Sequence, residues 1–164
     1  MTSNDDAAQL GPRVGAARNA ARKLLKDAGA TGVPVDLGKI AGHLNSRHGL
    51  KVVRFQLGEK VSGLLVVNAD GLPTVGVNAG QALVRQRLTA AHEIGHFLLG
   101  HECAGECGHG DAEVEAFQFA AELLMPLASL RGDFRNTPDL DALARRYVVS
   151  KEALCRHLME CRIL

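Results

Sequence analysis

One short stretch of the sequence has the residue types and the spacing of a metal site. It reads HEIGH at residues 92–96, within a segment whose apolar residues recur at helical spacing. On a helix, His96 lies about 40° around the axis from His92 and one turn further along, so both imidazoles can reach one zinc ion. Glu93 lies on the same broad side, where it can act on a water bound to that metal. The alternative is a solvent-facing helix, but the leucines at 98–99 favour burial, which makes unsatisfied histidines costly.

A catalytic zinc ion usually has three protein ligands and keeps one position open for water. The pattern HExxHxxGxxH would need glycine at 99 and histidine at 102, where the sequence has Leu99 and Glu102. A carboxylate from the next predicted helix, residues 111–130, is the other common solution. On that helix Glu113 shares an apolar face with Phe117, and a charge on such a face is costly unless it meets a cation. Glu113 is therefore the candidate third ligand.

Other charged residues are expected to face solvent. On the same helix Glu115 shares a face with three further polar residues, and we expect this face to be solvated: Asp111, Gln118 and Glu122. The alternative for Glu113 itself is a glutamate favoured by the helix dipole near the helix start. The acids between 101 and 122 are expected to rim the metal cleft and to suit a basic substrate segment. The first predicted helix has a basic face that we also expect to be solvated: Arg13, Arg18, Arg22, Lys23 and Lys26.

A second group of possible ligands lies between the two helices. His101, Cys103, Cys107 and His109 form the pattern H-x-C-x3-C-x-H. Such a group can hold a second, structural zinc ion or act as a redox-sensitive or metal-responsive loop. The simpler interpretation, which we favour, is a glycine-rich surface loop with incidental thiols.

The predicted elements that must position these residues form an α+β domain. Two helices come first, and Asp36 and Gly49 are predicted to cap the second of them. Three β-rich runs follow, LKVVRF, SGLLVV and PTVGVN, and the turn NADG between the last two predicts a hairpin. We expect a small antiparallel meander packed on a helical core. Two short helices after Pro138 form a C-terminal helical pair.

Composition limits the function classes. The chain has 164 residues, 46% of them hydrophobic and 23% charged, as in a soluble globular protein. The net charge of +1 argues against direct nucleic-acid binding, and no apolar run is long enough for a membrane helix. The acidic N-terminus is unlike a signal peptide, so we expect a cytoplasmic protein. Residues 1–11 are predicted to be a disordered leader and residues 12–164 a single domain.

The longer pattern around the histidines resembles a known family. The stretch RQRLTAAHEIGHFLLGH followed by EVEAFQFAAELLMP is similar to the ImmA/IrrE family of zinc metallopeptidases, and the resemblance covers about residues 13–160. It implies a zincin-like core, one zinc ion bound by His92, His96 and Glu113, and Glu93 as general base. Leu88 stands where the family has phenylalanine. Phe117 stands where it has asparagine, which removes an expected hydrogen bond to a zinc-binding histidine; such losses cost about 10- to 100-fold in affinity or activity.

The resemblance also implies a biological role. It implies a metalloendopeptidase whose protein substrate is a helix-turn-helix transcriptional repressor, and whose action derepresses a stress or mobile-element regulon. The alternative is a catalytically weak or inactive, zinc-stabilised protein-binding module of an antitoxin-like or regulatory kind. A third alternative is a DNA-binding regulator, because the tail also resembles a helix-turn-helix, in which Ser150 would cap the second helix and Arg156 and His157 would lie on it. We favour a closing helical pair for that tail.

Overall fold

The computed structural model describes residues 11–101 and 110–164. This part of the chain forms an α+β fold, as predicted. Its elements, in chain order, are α1 (Val14–Asp27), α2 (Leu37–His48), β1 (Lys51–Phe55), β2 (Gly63–Val67), β3 (Pro73–Asn78), α3 (Leu83–Leu99), α4 (Asp111–Leu124), α5 (Leu127–Asn136), α6 (Leu140–Tyr147) and α7 (Lys151–Glu160). All of the predicted leader except its last residue lies outside the described residues.

The three strands form a mixed sheet, so the predicted antiparallel meander is wrong. The strand order is β1-β3-β2, with β1 parallel and β2 antiparallel to β3. The turn after Asn68 joins β2 to β3 as a hairpin, as predicted, and the Asn68 side chain accepts the backbone N–H groups of Asp70 and Leu72. The strand β3 is buried along almost its whole length, whereas β1 and β2 are partly exposed. The most buried strand therefore takes the centre, where both of its edges are paired.

The predicted caps of α2 and α7 are present. The Asp36 side chain accepts the N–H groups of Gly38 and Lys39, and Gly49 ends α2 with a left-handed φ of 66°. Ser150 accepts the N–H of Ala153 at the start of α7. These caps fix where each helix begins or ends.

The long helix predicted at 111–130 is two helices. It breaks at Met125, whose φ of −129° and ψ of 67° are not helical, and Pro126 follows. Proline disfavours the helical conformation of the residue before it and has no N–H to continue the ladder. The break redirects the chain from α4 into α5.

The helix α4 packs between α3 and α1. Against α3 the helices approach closely at Gly95, where a Cβ atom would lie 3.0 Å from Phe119 Cδ1 and 3.3 Å from the Ala116 carbonyl oxygen. On the other side Ala17 and Ala21 of α1 are fully buried. Small residues at both interfaces let the three backbones come close together, which sets the position of the side chains on α4.

The basic face of α1 is not simply solvated, which corrects that prediction. Its arginines reach the polar side chains of α4, with N–O distances of 3.1, 2.6 and 2.8 Å, in the pairs Arg13–Glu115, Arg18–Gln118 and Arg22–Glu122. The partners on α4 are buried, although we expected that face to be exposed. Because α1 covers α4, helical periodicity alone assigns the face wrongly, and each of these buried polar side chains has an arginine partner. Lys23 pairs with Asp27 on the exposed side.

The C-terminal helices pack onto the rest of the structure as a closing pair. His157 of α7 is fully buried, and its Nε2 lies 3.2 Å from the carbonyl oxygen of Met125. Since that group is a carbonyl oxygen, Nε2 is the donor. Tyr147 at the end of α6 is also buried, and its hydroxyl donates to Asp133 at 2.7 Å. His157, one of the residues of the helix-turn-helix alternative, is therefore not accessible to DNA.

Within residues 11–101 and 110–164, none of the helices is both long enough and apolar enough to cross a membrane.

Candidate metal centre

The side chains of His92, His96 and Glu113 meet between α3 and α4. His92 Nε2 lies 3.0 Å from His96 Nε2 and 3.1 Å from Glu113 Oε2. His96 Nε2 lies 3.1 Å from Glu113 Oε1. Two imidazole nitrogens and the two oxygens of one carboxylate thus face one another, and we call these three side chains the triangle. The two histidines come from successive turns of one helix, and the glutamate comes from the first turn of the next.

The donor set fits a zinc ion. Two imidazole nitrogens and one carboxylate are a common ligand set for catalytic zinc. With bond lengths of about 2.0–2.1 Å, tetrahedral ligands are separated by about 3.3 Å, close to the 3.0–3.1 Å found here. Among the described residues, Glu113 has no lysine or arginine partner, although its side chain is only 34% exposed. A divalent cation would supply the missing positive charge.

Both histidines are in the protonation state that a metal requires. Burial lowers the pKa of His96 to about 4, with the nearby His92 as the next cause. Burial also lowers the pKa of His92. The two rings are therefore neutral at pH 7, with lone pairs available for a metal.

Glu93 lies beside this triangle with an unusual protonation behaviour. Burial, followed by the negative charge of Glu113, raises the pKa of Glu93 to about 7. A carboxyl group with such a pKa can take a proton and return it near neutral pH. The sequence predicts a proton-transfer role for Glu93 from its place in HEIGH. The structure adds the reason why the pKa of this carboxyl group is raised.

Gly63, which the sequence analysis missed, brings strand β2 directly against the site. A Cβ atom at this position would lie 2.3 Å from Thr89 Cγ2, 2.9 Å from the Gly76 carbonyl oxygen and 3.6 Å from Glu93 Cγ. Only glycine allows this approach between β2 and α3. A glycine at the start of a β-rich run is a signal of close backbone contact that could have identified it.

An open pocket of about 890 Å³ lies next to His92 and Glu93. Its walls include three cationic side chains, Lys60, Arg85 and Arg156, and one acid besides Glu93, which is Glu152. This corrects the expectation of an acidic rim. Two of the acids counted for that rim, Glu115 and Glu122, are buried and paired with arginines of α1. Others, Glu102 and Glu106, lie outside the described residues.

A family model covers most of the chain, including every residue of the triangle. The model is that of Peptidase_M78, described as the IrrE N-terminal-like domain, and it matches residues 45–159. The chain belongs to this family. The resemblance to the ImmA/IrrE metallopeptidases is thereby confirmed.

A solved structure shares the fold of this Peptidase_M78 chain. It is described as a Mycobacterium tuberculosis transcriptional regulator, and it matches with a TM-score of 0.68 and 19% sequence identity. The match covers 88% of this chain and 46% of the other, so this chain spans about half the length of that regulator. None of the curated protein sequences is significantly similar to this chain.

In this Peptidase_M78 chain Phe117 forms part of the wall of the pocket, which the sequence did not predict. The Arg156 guanidinium lies over the Phe117 ring, 3.5 Å from its centroid, and both side chains line the pocket. Phenylalanine cannot make the hydrogen bond that asparagine would make here. It serves instead as a platform for a cation from α7, a contact between elements far apart in sequence.

The second group of possible ligands is only partly visible. Cys103, Cys107 and His109 lie outside the described residues, so their role stays a prediction. His101 does not join the triangle as a fourth corner. Its Nδ1 lies 2.9 Å from Nδ1 of His96, on the side of that ring opposite the triangle.

Proposed function

We propose that this chain is a zinc-dependent endopeptidase. In this proposal His92, His96 and Glu113 hold one zinc ion, and Glu93 is the general base. The observation that carries it is the convergence of the two Nε2 atoms, 3.0 Å apart, with the Glu113 carboxylate, whose two oxygens each lie 3.1 Å from one of them. Glu93 lies beside them and lines an open pocket. Membership of a peptidase family supports hydrolysis of peptide bonds.

The protein groups divide the chemistry between them. A zinc ion, when bound, supplies Lewis acidity that activates a water molecule and polarises the scissile carbonyl. Glu93 accepts the proton of the attacking water, because its pKa of about 7 leaves part of it ionised at neutral pH. The same carboxyl group then returns the proton to the amine that leaves. His92 and His96 remain neutral and orient the centre.

We propose that the substrate backbone binds along the edge of strand β2. It pairs with β3 on one side only, so within the described residues its other edge has no partner. Gly63 at the start of this strand lies next to Glu93. An extended peptide that adds to this edge would pass the site with its carbonyl groups in reach of Glu93.

The substrate class follows from the walls of the pocket and from the family resemblance. Lys60, Arg85 and Arg156 favour acidic side chains near the scissile bond. We propose, as the ImmA/IrrE resemblance implies, that the substrate is a helix-turn-helix repressor whose cleavage derepresses a regulon. The shared fold with a transcriptional regulator is consistent with such a role. We also propose a cytoplasmic location and a single domain over residues 12–164.

Metal analysis together with one substitution tests this proposal. The purified protein should hold one zinc ion, and the zinc-loaded protein should cut peptides from a library biased toward acidic residues. Glu93→Gln should keep the zinc and lose at least about 100-fold in rate, since general-base catalysis contributes 10²–10⁴-fold. Asp70→Asn, in the exposed turn between β2 and β3, is a charge-matched control that should keep full activity.

Two results would contradict the proposal. If Glu93→Gln keeps the biological effect while holding zinc, the chain is the zinc-stabilised binding module named as the alternative. If the wild-type protein holds no zinc, neither of these functions stands.

A further inference from the structure

We propose that His101 is a positioning residue that fixes the ring of His96, and that Glu115 and Arg13 hold it in turn. This inference rests on the zinc site proposed above. It concerns a chain of contacts that starts on α1, crosses α4 and ends at a candidate ligand. The spacing of HEIGH alone does not point to it.

The contacts are continuous and mostly buried. His96 Nδ1 lies 2.9 Å from His101 Nδ1, and His101 Nε2 lies 3.0 Å from Glu115 Oε2. The other oxygen of Glu115 accepts the backbone N–H of Arg13 at 2.8 Å, and the Arg13 guanidinium donates to both oxygens at 3.2 and 3.1 Å. The side chains of His96, His101 and Glu115 are 3%, 9% and 6% exposed. Water therefore has little access to compete for these bonds.

Only one arrangement of protons satisfies the whole chain. His96 presents Nε2 to the triangle, so in the neutral ring the proton is on Nδ1. That proton is donated to His101 Nδ1, which must then be the unprotonated nitrogen. His101 Nε2 carries the remaining proton and donates it to Glu115. The carboxylate thus selects the tautomer of His101, and His101 selects the tautomer of His96 that leaves Nε2 free for a metal.

The end of α3 brings His101 to this position. Gly100 ends the helix in a left-handed conformation, with a φ of 71°, and the N–H of His101 donates to the His96 carbonyl oxygen at 3.0 Å. The tight reversal returns the His101 side chain beside the helix it has just left. A residue other than glycine at 100 would be strained in this conformation.

This chain replaces a contact that the sequence analysis counted as lost. With Phe117 in place of asparagine, we expected one zinc-binding histidine to lack a hydrogen-bond partner. His101 supplies such a partner to His96. The expected cost of the change at Phe117 is therefore offset at this ring.

A second ion pair on the same two helices provides a matched control. Arg22 pairs with Glu122 through a single hydrogen bond from Nε, and Glu122 is just as buried as Glu115, but this pair does not contact His101. Substitutions in the two pairs should both affect stability. Only those in the Arg13–Glu115 pair should affect zinc binding.

Zinc affinity, measured by chelator competition, tests the proposal without any activity assay. His101→Ala should bind one zinc ion about 10- to 100-fold more weakly than the wild type, the usual cost of losing such a partner. His101→Asn should recover part of the loss. Arg13→Ala, a change at an exposed side chain, should weaken binding less than His101→Ala and should have no further effect when His101 is already alanine. The cobalt-loaded protein should show altered visible absorption in His101→Ala.

The outcomes separate this inference from the proposed function. If the wild type binds zinc and the His101 and Arg13 variants bind it equally well, the positioning role is wrong and the zinc site stands. The role is also wrong if Arg22→Ala weakens zinc binding as much as Arg13→Ala. If His101→Ala cannot hold a stoichiometric zinc ion at any concentration tested, His101 is itself a ligand. If the wild type binds no zinc, the proposed function fails first.

Discussion

Two glutamates of α4, Glu113 and Glu115, are two residues apart and have opposite surroundings. Glu115 points toward α1, is buried and has an arginine as its partner. Glu113 points toward α3, is a third exposed, and among the described residues pairs only with the nitrogens of two neutral histidines. On the α1 side the protein itself supplies the positive charges. On the α3 side it leaves a carboxylate without one, and that difference distinguishes a candidate metal ligand from a structural acid.

The largest effect on zinc binding should come from neutralising these two acids one at a time. Glu113→Gln should abolish stoichiometric zinc binding, because one of three donors is lost. Glu115→Gln should keep one zinc ion per chain with weaker affinity, because it acts through His101. Metal analysis after gel filtration, with a chelator titration for Glu115→Gln, checks both. Equal loss of zinc in the two variants would show that the two sides of α4 are not distinct.

The second effect concerns the stability that the α1 side provides. Arg22→Ala leaves the carboxylate of Glu122 buried without its cation, which should lower the free energy of unfolding by about 1–3 kcal/mol. Lys23→Ala breaks the exposed pair with Asp27 and should change the free energy of unfolding much less, because solvent screens that pair. Urea denaturation of both variants measures the difference. If Arg22→Ala is as stable as Lys23→Ala, the α1 side is not held by its charges.

How far the sequence could predict this structure depends on the range of the interactions involved. The spacing of HEIGH and the apolar face around Glu113 predict local juxtapositions, and these side chains do lie together. The caps Asp36 and Ser150 are equally local and were predicted. The burial of Glu115 was not predicted, because it depends on α1, which is about 100 residues away.

Other errors have the same cause. The order of the strands depends on which strand is buried by the helices, and the run PTVGVN does not show this by itself. The place of Arg156 over Phe117 depends on how α7 returns to α4. The break at Pro126 is different. Proline is a local signal, so the sequence alone could have predicted that the helix beginning at Asp111 ends before Pro126.

A third effect is the pH dependence of stability, and it comes from His157 of α7, which lies near Glu122 on the side of α4 that faces α1. Burial lowers the pKa of His157, which lies near Glu122, Cys161 and the Met125 carbonyl, with Arg18 and Glu160 close enough to contribute. The unfolded ring takes up a proton below a pH of about 6.5, and the folded ring does so only at lower pH. The free energy of unfolding should therefore fall by up to about 1.4 kcal/mol per pH unit as the pH drops through this window.

Comparison of wild type with His157→Gln isolates this contribution. The variant should show a shallower slope of stability between pH 7.5 and 5.5 in urea titrations. An identical slope in both proteins would mean that His157 takes up its proton equally in the folded and unfolded states.

The smallest effect concerns the side of α4 that faces the pocket. There Arg156 lies over an aromatic ring, and its ion pair with Glu160, 2.9 Å long, is exposed enough for an acidic substrate residue to compete for the guanidinium. Arg156→Gln should lower kcat/KM for a peptide with an acidic residue near the scissile bond by about two- to fivefold, corresponding to about 0.5–1 kcal/mol. A neutral peptide of the same length should be cut at an unchanged rate. Equal losses for both peptides would contradict a role in charge recognition.

X-ray absorption at the zinc edge tests the central claim most directly, because it identifies the ligand atoms themselves. The account predicts one zinc ion per chain with only nitrogen and oxygen neighbours at about 2.0–2.1 Å, and with the signature of two imidazoles. This spectrum should be lost in Glu113→Gln and retained in Glu115→Gln. Sulfur neighbours at about 2.3 Å would place the zinc on Cys103 and Cys107 instead and would contradict the account.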